Sequence, residues 1–524
     1  MRAAFARDMR PAQLYYIEMN IATLTLDAVG AGGRAAVIVE YGGRQVSPAE
    51  LTARVAGIAS ELVGRGMCAN ERVVLQMRHG IDLTSVMLAV LAIGAVPVLC
   101  DPGLGDEVYL ARVEAADARW VIAEPLVHML GVLPIGRGFL RRHDVNVPAA
   151  PEVQHILLST SKINRLAKAA PAFEPRPRGP SDEAAIVFTG GTTSDPRGVV
   201  HTHDSLAAFM RVIDQVVSHT PAENLLADTL PQVICALGLG RTAFVTPHRI
   251  EKRARYIYEQ IQAGTVDSYF GSPFVWSQIA EILGDDRLPP SLSTVLLGSA
   301  PVTKTFLRGL LDILDPQTNV LCIYGLTEAG PVCVAKAQEK LAWEGEGDWL
   351  GPPVKGTTVS IDGDNGVGEI LVRGPTVCAG YLGHPLARGE PLRTGDLGRM
   401  TEVNGVVPGL VLVGRQKDMI IRRGVNIYPG LLEPTLLSAS REAGLGLRDC
   451  AVVGVWNDAR QDEEVLLFVV PEADTSVSVD AVQRVAATCL GAESAPDRVL
   501  VIEEMPRTGR QHKIDRRALH EMAG

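Results

Sequence analysis

The sequence predicts an α/β fold with a large N-terminal domain of layered, mostly parallel sheets, a small β subdomain and a small α+β C-terminal domain. The first observation is a length of 524 residues, which is more than one ordinary hydrophobic core supports. The second is an alternation of apolar, strand-like runs with helical stretches through the first four hundred residues, which is typical of parallel sheets covered by helices. The third is a change to short, glycine-punctuated strands after about residue 355, which favours a small antiparallel sheet.

The N-terminal elements follow from the period of their apolar residues. Helical periodicity predicts helices over residues 48–65 and 106–115. Short apolar runs predict buried strands at 72–77, 95–99, 120–123, 185–188 and 293–298. The apolar run 83–100 is divided by Gly94 and Pro97, so we interpret it as a buried helix followed by a buried strand rather than as a membrane span.

The pattern of predicted secondary structure changes twice in the C-terminal part of the chain. Strands predicted at 368–374, 405–408 and 410–414 form the β subdomain, about residues 355–413. Mixed α and β patterns then return, with strands expected at 450–456 and 465–470. We therefore predict an N-terminal domain over 1–414 and a C-terminal domain over 415–524.

Composition narrows the possible partners and the compartment. Fifty Lys and Arg against sixty Asp and Glu give a net charge of −10, which disfavours nucleic-acid binding. The eight cysteines form no CxxC pair, so neither zinc nor a disulfide framework is expected. The first residues lack a secretory pattern. We expect a cytoplasmic protein that does not bind membranes, as a monomer or homodimer.

The strongest chemical signal is a loop that follows the strand predicted at 185–188. Glycines allow backbone N–H groups to approach an oxyanion, and hydroxyl groups and a cation add further donors. The loop supplies these groups through Thr189, Gly190, Gly191, Thr192, Thr193 and Arg197. Such a loop suits triphosphate oxygens, although it is not the P-loop GxxxxGK(S/T).

This loop resembles that of the acyl-adenylate-forming superfamily, which includes acyl-CoA synthetases, luciferases and peptide-synthetase adenylation domains. The family loop usually reads Thr-(Ser/Gly)-Gly-(Ser/Thr)-Thr-Gly-x-Pro-Lys-Gly, and most positions of 189–198 match it. Ser194 stands where glycine is usual and Arg197 where lysine is usual. Arginine keeps the positive charge with a different hydrogen-bonding geometry.

Four later segments resemble the family in the same order along the chain. They are Tyr-Gly-Leu-Thr-Glu at 324–328, Thr-Gly-Asp at 394–396, Gly-Arg-Gln-Lys-Asp at 414–418 with Gly424 following, and a C-terminal Lys513-Ile pair. His512 replaces the family's usual glycine before that lysine, and the spacing is one residue longer. The resemblance as a whole runs from about residue 25 to the C-terminus.

The resemblance implies a role for each residue. Tyr324 and Gly325 would lie against adenine, Thr327 would contact the α-phosphate, and Glu328 would hold Mg²⁺. Asp396 would take both ribose hydroxyls, and Arg415 would contact ribose or phosphate. Lys417 would be the hinge about which a mobile C-terminal domain rotates, Gly424 would line the thioester-forming site, and Lys513 would be the catalytic lysine. Ser299 and Ala300 would border the nucleotide.

The implied reaction activates a carboxylic acid with ATP and Mg²⁺ to give an acyl-adenylate. By family position the acyl pocket would involve Gln232, Ile234, Tyr269 and Gly298, which suggests a hydrophobic acyl or aryl acid. No acidic residue in the matching segments is available to hold an α-ammonium group, so an amino acid is less favoured.

The acyl acceptor stays open between several candidates. The segment after Gly424 looks most like acyl-CoA synthetases, so CoA is the first candidate co-substrate. However, residues 232–238 hold no histidine, and residues 94–105 are similar to olefin-pathway β-lactone synthetases, which close a ring on an internal hydroxyl. A carrier protein or an amine are further candidates, and a nucleotide-binding regulatory protein without turnover is the alternative from another class.

Overall fold

The computed structural model describes residues 20–100, 106–132, 153–188, 197–217, 223–247, 250–284, 286–363, 366–387, 389–403, 406–422, 425–457, 462–473, 475–508 and 513–523. Its helices are α1 (Ile21–Ala31), α2 (Pro48–Gly64), α3 (Ile81–Ala92), α4 (Asp106–Ala115), α5 (Pro125–Val132), α6 (Thr160–Lys168), α7 (His203–Val217), α8 (Leu230–Gly238), α9 (Ile250–Gln262), α10 (Pro273–Leu283), α11 (Lys304–Ile313), α12 (Ala337–Ala342), α13 (Pro429–Glu442), α14 (Val479–Ser494) and α15 (Arg516–Ala523).

Its strands alternate with these helices through the first three hundred residues. They are β1 (Ile38–Glu40), β2 (Gln45–Val46), β3 (Arg72–Gln76), β4 (Val96–Leu99), β5 (Trp120–Ala123), β6 (Gln154–Leu157), β7 (Glu183–Phe188), β8 (Gly198–Thr202), β9 (Asn224–Ala227), β10 (Thr242–Val245), β11 (Ser268–Gly271), β12 (Thr294–Leu297), β13 (Asn319–Leu326), β14 (Gly330–Lys336), β15 (Asp348–Gly351), β16 (Thr358–Asp362), β17 (Gly368–Arg373), β18 (Gly380–Tyr381), β19 (His384–Pro385), β20 (Leu392–Val403), β21 (Val406–Arg415), β22 (Ile420–Arg422), β23 (Val425–Ile427), β24 (Leu447–Asn457), β25 (Asp462–Pro471), β26 (Arg498–Val501), β27 (Arg507–Thr508) and β28 (Lys513–Ile514).

Two large sheets form the N-terminal part. The first has the strand order β14-β13-β12-β11-β9-β10-β1-β2 and the second has the order β19-β18-β8-β7-β4-β3-β5-β6. Pairing is parallel in the interior of both sheets and antiparallel at their ends, for example between β13 and β14 and between β7 and β8. The predicted layered, mostly parallel α/β architecture is confirmed.

One helix packs in a hydrophobic core that also contains residues of both large sheets. Helix α3 is buried along nearly its whole length, and its core cluster includes Ile38 of β1 and Val73 of β3. A helix that is apolar on every face is stable only when it is covered on every face. The apolar run 83–100 is therefore a core helix followed by β4, as predicted, and none of the described helices has the length and apolar character needed to cross a membrane.

The small sheet has five antiparallel strands in the order β15-β21-β20-β17-β16. The sequence predicts two short strands within 405–414, but the structure has one, β21, which continues through Pro408 and Gly409. Trp349 of β15 packs where Gly409 has no side chain: a Cβ there would lie 2.1 Å from the indole ring. Glycine at this point serves close packing rather than a turn.

The last hundred residues form a separate core. Strands β24, β25 and β26 make a three-stranded sheet, and its buried residues pack with Leu436 of α13 and Val482 of α14. Ile420 of β22 belongs to the same cluster. Between β21 and β22 the chain makes one 3-10 turn over Gln416–Asp418, so the boundary predicted after residue 414 lies next to the end of β21 at Arg415.

Candidate active site

Three segments that are far apart in the sequence meet at the Asp396 carboxylate. Tyr324 of β13 donates its phenolic O–H to Asp396 Oδ2 at 2.8 Å, and Arg415 forms a salt bridge with the same carboxylate, with 2.9 Å between Nε and Oδ1. The second contact follows from register, because Asp396 of β20 lies opposite Arg415 of β21. The structure thus brings together Tyr324, Asp396 and Arg415, which the sequence assigns to adenine and ribose.

Asp396 is held in a nearly solvent-free position, with 2% of its surface exposed. The backbone N–H of Asp396 donates to the Thr394 hydroxyl at 3.1 Å, and that hydroxyl donates to the Ile370 carbonyl at 2.8 Å. Gly395 lies between them with φ +70°, a conformation that favours glycine. Burial and the neighbouring carboxylate raise the pKa of Tyr324 far above its usual value, so its phenol stays protonated and donates.

A second cluster joins Glu328, through Tyr381, to Arg197 of the predicted phosphate loop. Tyr381 donates its phenolic O–H to Glu328 Oε1 at 2.9 Å. The guanidinium carbon of Arg197 lies 5.8 Å from the centre of the Tyr381 ring, within cation–π range. Burial, followed by the charge of Glu328, raises the pKa of Tyr381, so this phenol also remains a donor. The sequence analysis missed Tyr381, because its position depends on pairing between β18 and β8.

The donor set at Glu328 suits a hard cation held mainly by other ligands. Among the described residues no three His, Cys, Asp or Glu side chains are grouped as a metal cage. Magnesium typically takes one or two protein carboxylates and fills its remaining positions with water and phosphate oxygens. A single half-buried carboxylate beside an exposed Thr327 fits that description.

His201 is a second residue that the sequence analysis missed. It lies in β8 with 8% of its surface exposed, and it forms a hydrogen bond with the backbone of Thr327. Burial lowers its pKa to about 4, and the bond to Thr327 opposes part of that shift. His201 is therefore neutral at physiological pH and ties β8 to the segment that carries Thr327 and Glu328.

The residues predicted for the acyl pocket lie in the helix α8 that follows β9 (Gln232 and Ile234), within β11 (Tyr269) and directly after β12 (Gly298). Gln232 caps helix α8: its side-chain oxygen accepts from the Asp228 and Thr229 N–H groups at 2.6 and 3.0 Å. Its amide donates to the Phe270 carbonyl at 3.2 Å. Ile234 is buried in the core next to it. Gln232 therefore ties the start of α8 to the end of β11.

Tyr269 is fully buried and donates its O–H to Asp228 Oδ2 at 2.6 Å. Asp228 Oδ1 accepts from the Thr246 hydroxyl at 2.8 Å, so both oxygens have protein donors. Burial raises the pKa of Asp228, and the charge of Arg253 opposes that shift. Asp228 lies just outside the segments matched by sequence, and the folded chain brings its carboxylate to Tyr269.

The turn after β12 is shaped by close contacts. A Cβ at Gly298 would lie 2.9 Å from the Phe270 ring and 3.1 Å from the Ile323 carbonyl, so a larger residue does not fit without movement. Ser299 follows with φ +68°, which is uncommon for a residue that is not glycine. Ala300 is partly exposed at the same turn. Unfavourable backbone geometry of this kind often occurs at ligand sites.

Several predicted residues are outside what the structure describes. Thr189, Gly190, Gly191, Thr192, Thr193 and Gly424 lie outside the described residues. The backbone of Lys513 pairs with Thr508 in the hairpin β27–β28. Lys417 is exposed in the 3-10 turn after β21. The roles assigned to these residues, and to the pocket residues above, stay predictions.

Comparison with known proteins identifies the family. The sequence model of the AMP-binding enzyme family matches residues 26–382, and that of its C-terminal domain matches residues 446–511. The 2-succinylbenzoate–CoA ligase of Bacillus mycoides is 26% identical over 507 residues, which is 92% of this chain and 95% of the relative.

Solved structures with the same fold include ligases of different names. Amide bond synthetase McbA from Marinactinospora thermotolerans superposes with a TM-score of 0.78 at 23% identity, over 96% of this chain and 99% of that one. ATP-bound MatB from Rhodopseudomonas palustris gives a TM-score of 0.78 at 22% identity, over 96% and 99% of the two chains. The o-succinylbenzoate CoA synthetase of Bacillus subtilis with its acyl-adenylate intermediate gives 0.76 at 19%, over 95% and 97%. Because the two family models match the N-terminal and the C-terminal part of the chain, the protein belongs to the AMP-binding enzyme family and is an AMP-forming ligase.

Proposed function

We propose that the protein uses ATP to convert a hydrophobic acyl or aryl acid into its acyl-adenylate and pyrophosphate, and then transfers the acyl group to CoA. The observation that carries this proposal is the meeting of Tyr324, Asp396 and Arg415. A carboxylate that accepts from two neighbouring hydroxyls is a good clamp for the vicinal diol of ribose. An aromatic residue and a cation beside that carboxylate are the groups that an adenine nucleotide requires.

The chemistry of the first step follows from charge. A substrate carboxylate must attack an α-phosphate that is already anionic, and pyrophosphate must leave with its own charge. Lys513, Arg197 and Thr327 would orient and neutralise these groups together with the loop over 189–193, so catalysis depends on positioning and electrostatics. No general base is needed because the attacking carboxylate is already ionised. Mg²⁺, held by Glu328, would supply further positive charge at the phosphates.

The relatives and the pocket support the proposed substrate class. The curated relatives above are named as ligases of 2-succinylbenzoate, an aryl acid, with CoA. In the proposed pocket both Asp228 oxygens accept hydrogen bonds, from Tyr269 and Thr246, so this carboxylate is engaged with the protein. Ile234 and Tyr269 are both buried, and such largely apolar side chains favour a hydrophobic acyl or aryl group.

The proposed organisation has a core over 1–414 and a mobile C-terminal domain over 415–524, with the hinge at Lys417. The separate hydrophobic core that follows Ile420 supports this division. None of the eight cysteines, all of which lie in described parts of the chain, forms a disulfide, and this supports work in the reducing cytoplasm. Ser299, Ala300 and Gly325 would border the nucleotide, and Gly424 would line the path of the thiol.

A panel of carboxylic acids tests the proposal. Purified protein is mixed with ATP, Mg²⁺ and each acid, pyrophosphate release is measured, and products formed with and without CoA are identified by mass spectrometry. We expect pyrophosphate release with aryl or medium-chain acids, and an acyl-CoA product only when CoA is present. An amide, a β-lactone or an acylated carrier protein as the sole product would contradict CoA as acceptor. No pyrophosphate release with any acid would contradict the adenylation step itself.

A further inference from the structure

A short segment connects Glu328 to strand β8 through backbone hydrogen bonds. The segment Cys378–Leu382, called the bridging segment below, contains β18 and lies beside β8. At one end the Cys378 N–H donates to the Glu328 carbonyl at 2.8 Å, and along its length N–H groups donate to the carbonyls of Val200 and Gly198 at 2.8 and 2.9 Å. The segment therefore fixes Glu328 relative to the strand that begins directly after Arg197.

The side chain of Tyr381 on this segment contacts both charged residues. Its hydroxyl donates to Glu328 Oε1 at 2.9 Å, and its ring lies 5.8 Å from the guanidinium carbon of Arg197. The phenol thus uses its polar end for the carboxylate and its ring for the cation. One side chain holds two groups of opposite charge through two different kinds of interaction.

Arg197 and Glu328 both contact Tyr381, and within the described part of the chain no salt bridge joins the two to each other. Direct pairing would leave the guanidinium and the carboxylate satisfied by one another. A nucleotide phosphate or a cation would then have to break that pair before binding. A carboxylate that accepts one phenolic hydrogen bond still has a second oxygen and further lone pairs available.

We propose that Tyr381 is a positioning residue that keeps Arg197 and Glu328 apart, so that Glu328 can hold Mg²⁺ and Arg197 can hold phosphate. The inference rests on the proposed function, because it takes Glu328 as the magnesium residue and Arg197 as a phosphate residue. The hydroxyl orients the carboxylate and the ring holds the guanidinium, so the two effects can be removed separately.

The test compares two substitutions at this position by calorimetric binding of the α,β-methylene analogue of ATP, which cannot be cleaved at the reacting bond. Tyr381→Phe keeps the ring and removes the hydrogen bond. We expect affinity in Mg²⁺ to fall about three- to tenfold, the range for one ordinary intramolecular hydrogen bond, and affinity in EDTA to stay within about twofold of wild type. Tyr381→Leu removes the ring as well, so Arg197 can pair with Glu328, and affinity should fall about tenfold or more in both conditions.

A double variant separates this mechanism from simple damage. In the Tyr381→Leu background, Glu328→Gln removes the charge that would capture Arg197, so affinity in EDTA should recover to within about threefold of wild type. Tyr258→Phe changes another partly buried tyrosine that packs in the core of the first sheet, and it should leave all affinities unchanged. Thermal unfolding of each variant checks that it is folded.

Two outcomes would overturn the inference. Equal weakening by Tyr381→Phe with and without Mg²⁺ would mean that the residue only packs, and unchanged affinity for both substitutions would mean that it has no role. Failure of the proposed function is distinguishable: if Glu328→Gln alone leaves the Mg²⁺ dependence unchanged, the magnesium assignment is wrong. In that case the EDTA affinities of Tyr381→Leu and of its double variant still decide whether the tyrosine separates the two charges.

Discussion

Asp396→Ala should weaken ATP binding by about 2–4 kcal/mol while leaving the protein folded. Two charge-assisted bonds to the ribose hydroxyls, at about 1.5–3 kcal/mol each, would contribute more than this range if no other donors competed for the carboxylate. In the free protein, however, Tyr324 already donates to one of its oxygens and Arg415 forms a salt bridge with the other. Ribose must share or replace these donors, which places the net loss below the simple sum. The affinity should therefore fall by about 30- to 1000-fold.

The same substitution should also lower the free energy of unfolding. Tyr324 loses its acceptor in a buried position, and a donor left without a partner costs about 1–3 kcal/mol. Arg415 is nearly half exposed, so water can replace its contact at little cost. Thermal unfolding of the variant should show a lower midpoint but one cooperative transition for the N-terminal part.

Calorimetric titration with ATP and Mg²⁺ measures the affinity, and Asp362→Ala is the matched control. Asp362 lies in the same small sheet and pairs with Arg393 at 2.9 Å, with both side chains more than half exposed. Removing such a surface pair changes stability by about 1 kcal/mol or less and should not change ATP affinity. If folded Asp396→Ala binds ATP as tightly as wild type, Asp396 is not the ribose ligand and the proposed orientation of the nucleotide is wrong.

Three further predictions concern charge at the site and in the core. Arg197→Lys should keep pyrophosphate release within about tenfold of wild type because the positive charge remains, whereas Arg197→Ala should be far slower; equal rates for Ala and wild type would exclude a phosphate role. Lys513→Ala should abolish adenylation but largely retain thioester formation from a supplied acyl-adenylate, and equal loss of both half-reactions would contradict its assignment. Burial lowers the pKa of His201 to about 4 in the folded protein. In the unfolded chain this histidine takes up a proton near pH 6.5, whereas in the folded chain it does not. The free energy of unfolding therefore falls as the pH drops from about 6.5 towards 4. The loss measured by urea unfolding between pH 7 and pH 5 should be about 2 kcal/mol smaller in His201→Gln, and an identical loss would show that the buried histidine does not titrate this way.

The sequence predicted the parts of the fold that local patterns decide. The helix and strand within residues 83–100 were predictable because Gly94 and Pro97 divide an apolar run whose halves have different lengths. The continuous strand β21 was not, because Pro408 and Gly409 are typical of a turn, and the close packing of Trp349 of β15 against Gly409 is a contact between residues far apart in the sequence. The residues that flank Pro408 and Gly409 in the sequence do not indicate that the strand continues through them.

The same distinction applies to the candidate site. Tyr324, Asp396 and Arg415 could be named from motif resemblance, and the structure brings them into contact. Tyr381 and His201 lie outside the segments quoted in the sequence analysis. The pairing of β18 with β8 brings Tyr381 to Glu328, and His201 reaches the Thr327 backbone from β8 itself. Residues that support a site from a second strand depend on tertiary register, which a single sequence does not reveal.

The end of β21 determines where the chain can be divided for expression of its parts. Arg415 contacts Asp396 and so belongs to the N-terminal unit, whereas Ile420 packs in the C-terminal core and Arg422 pairs with Asp497 there at 2.8 Å. Asp418 also pairs with Arg516 of the C-terminal part, at 3.5 Å, so residues 416 and 417 lie between the two sets of contacts. A fragment that stops at residue 414 would lose the guanidinium beside Asp396, while one that ends at 416 or 417 would keep it and leave the C-terminal contacts intact. The place at which a fragment is cut would therefore decide whether it retains nucleotide binding.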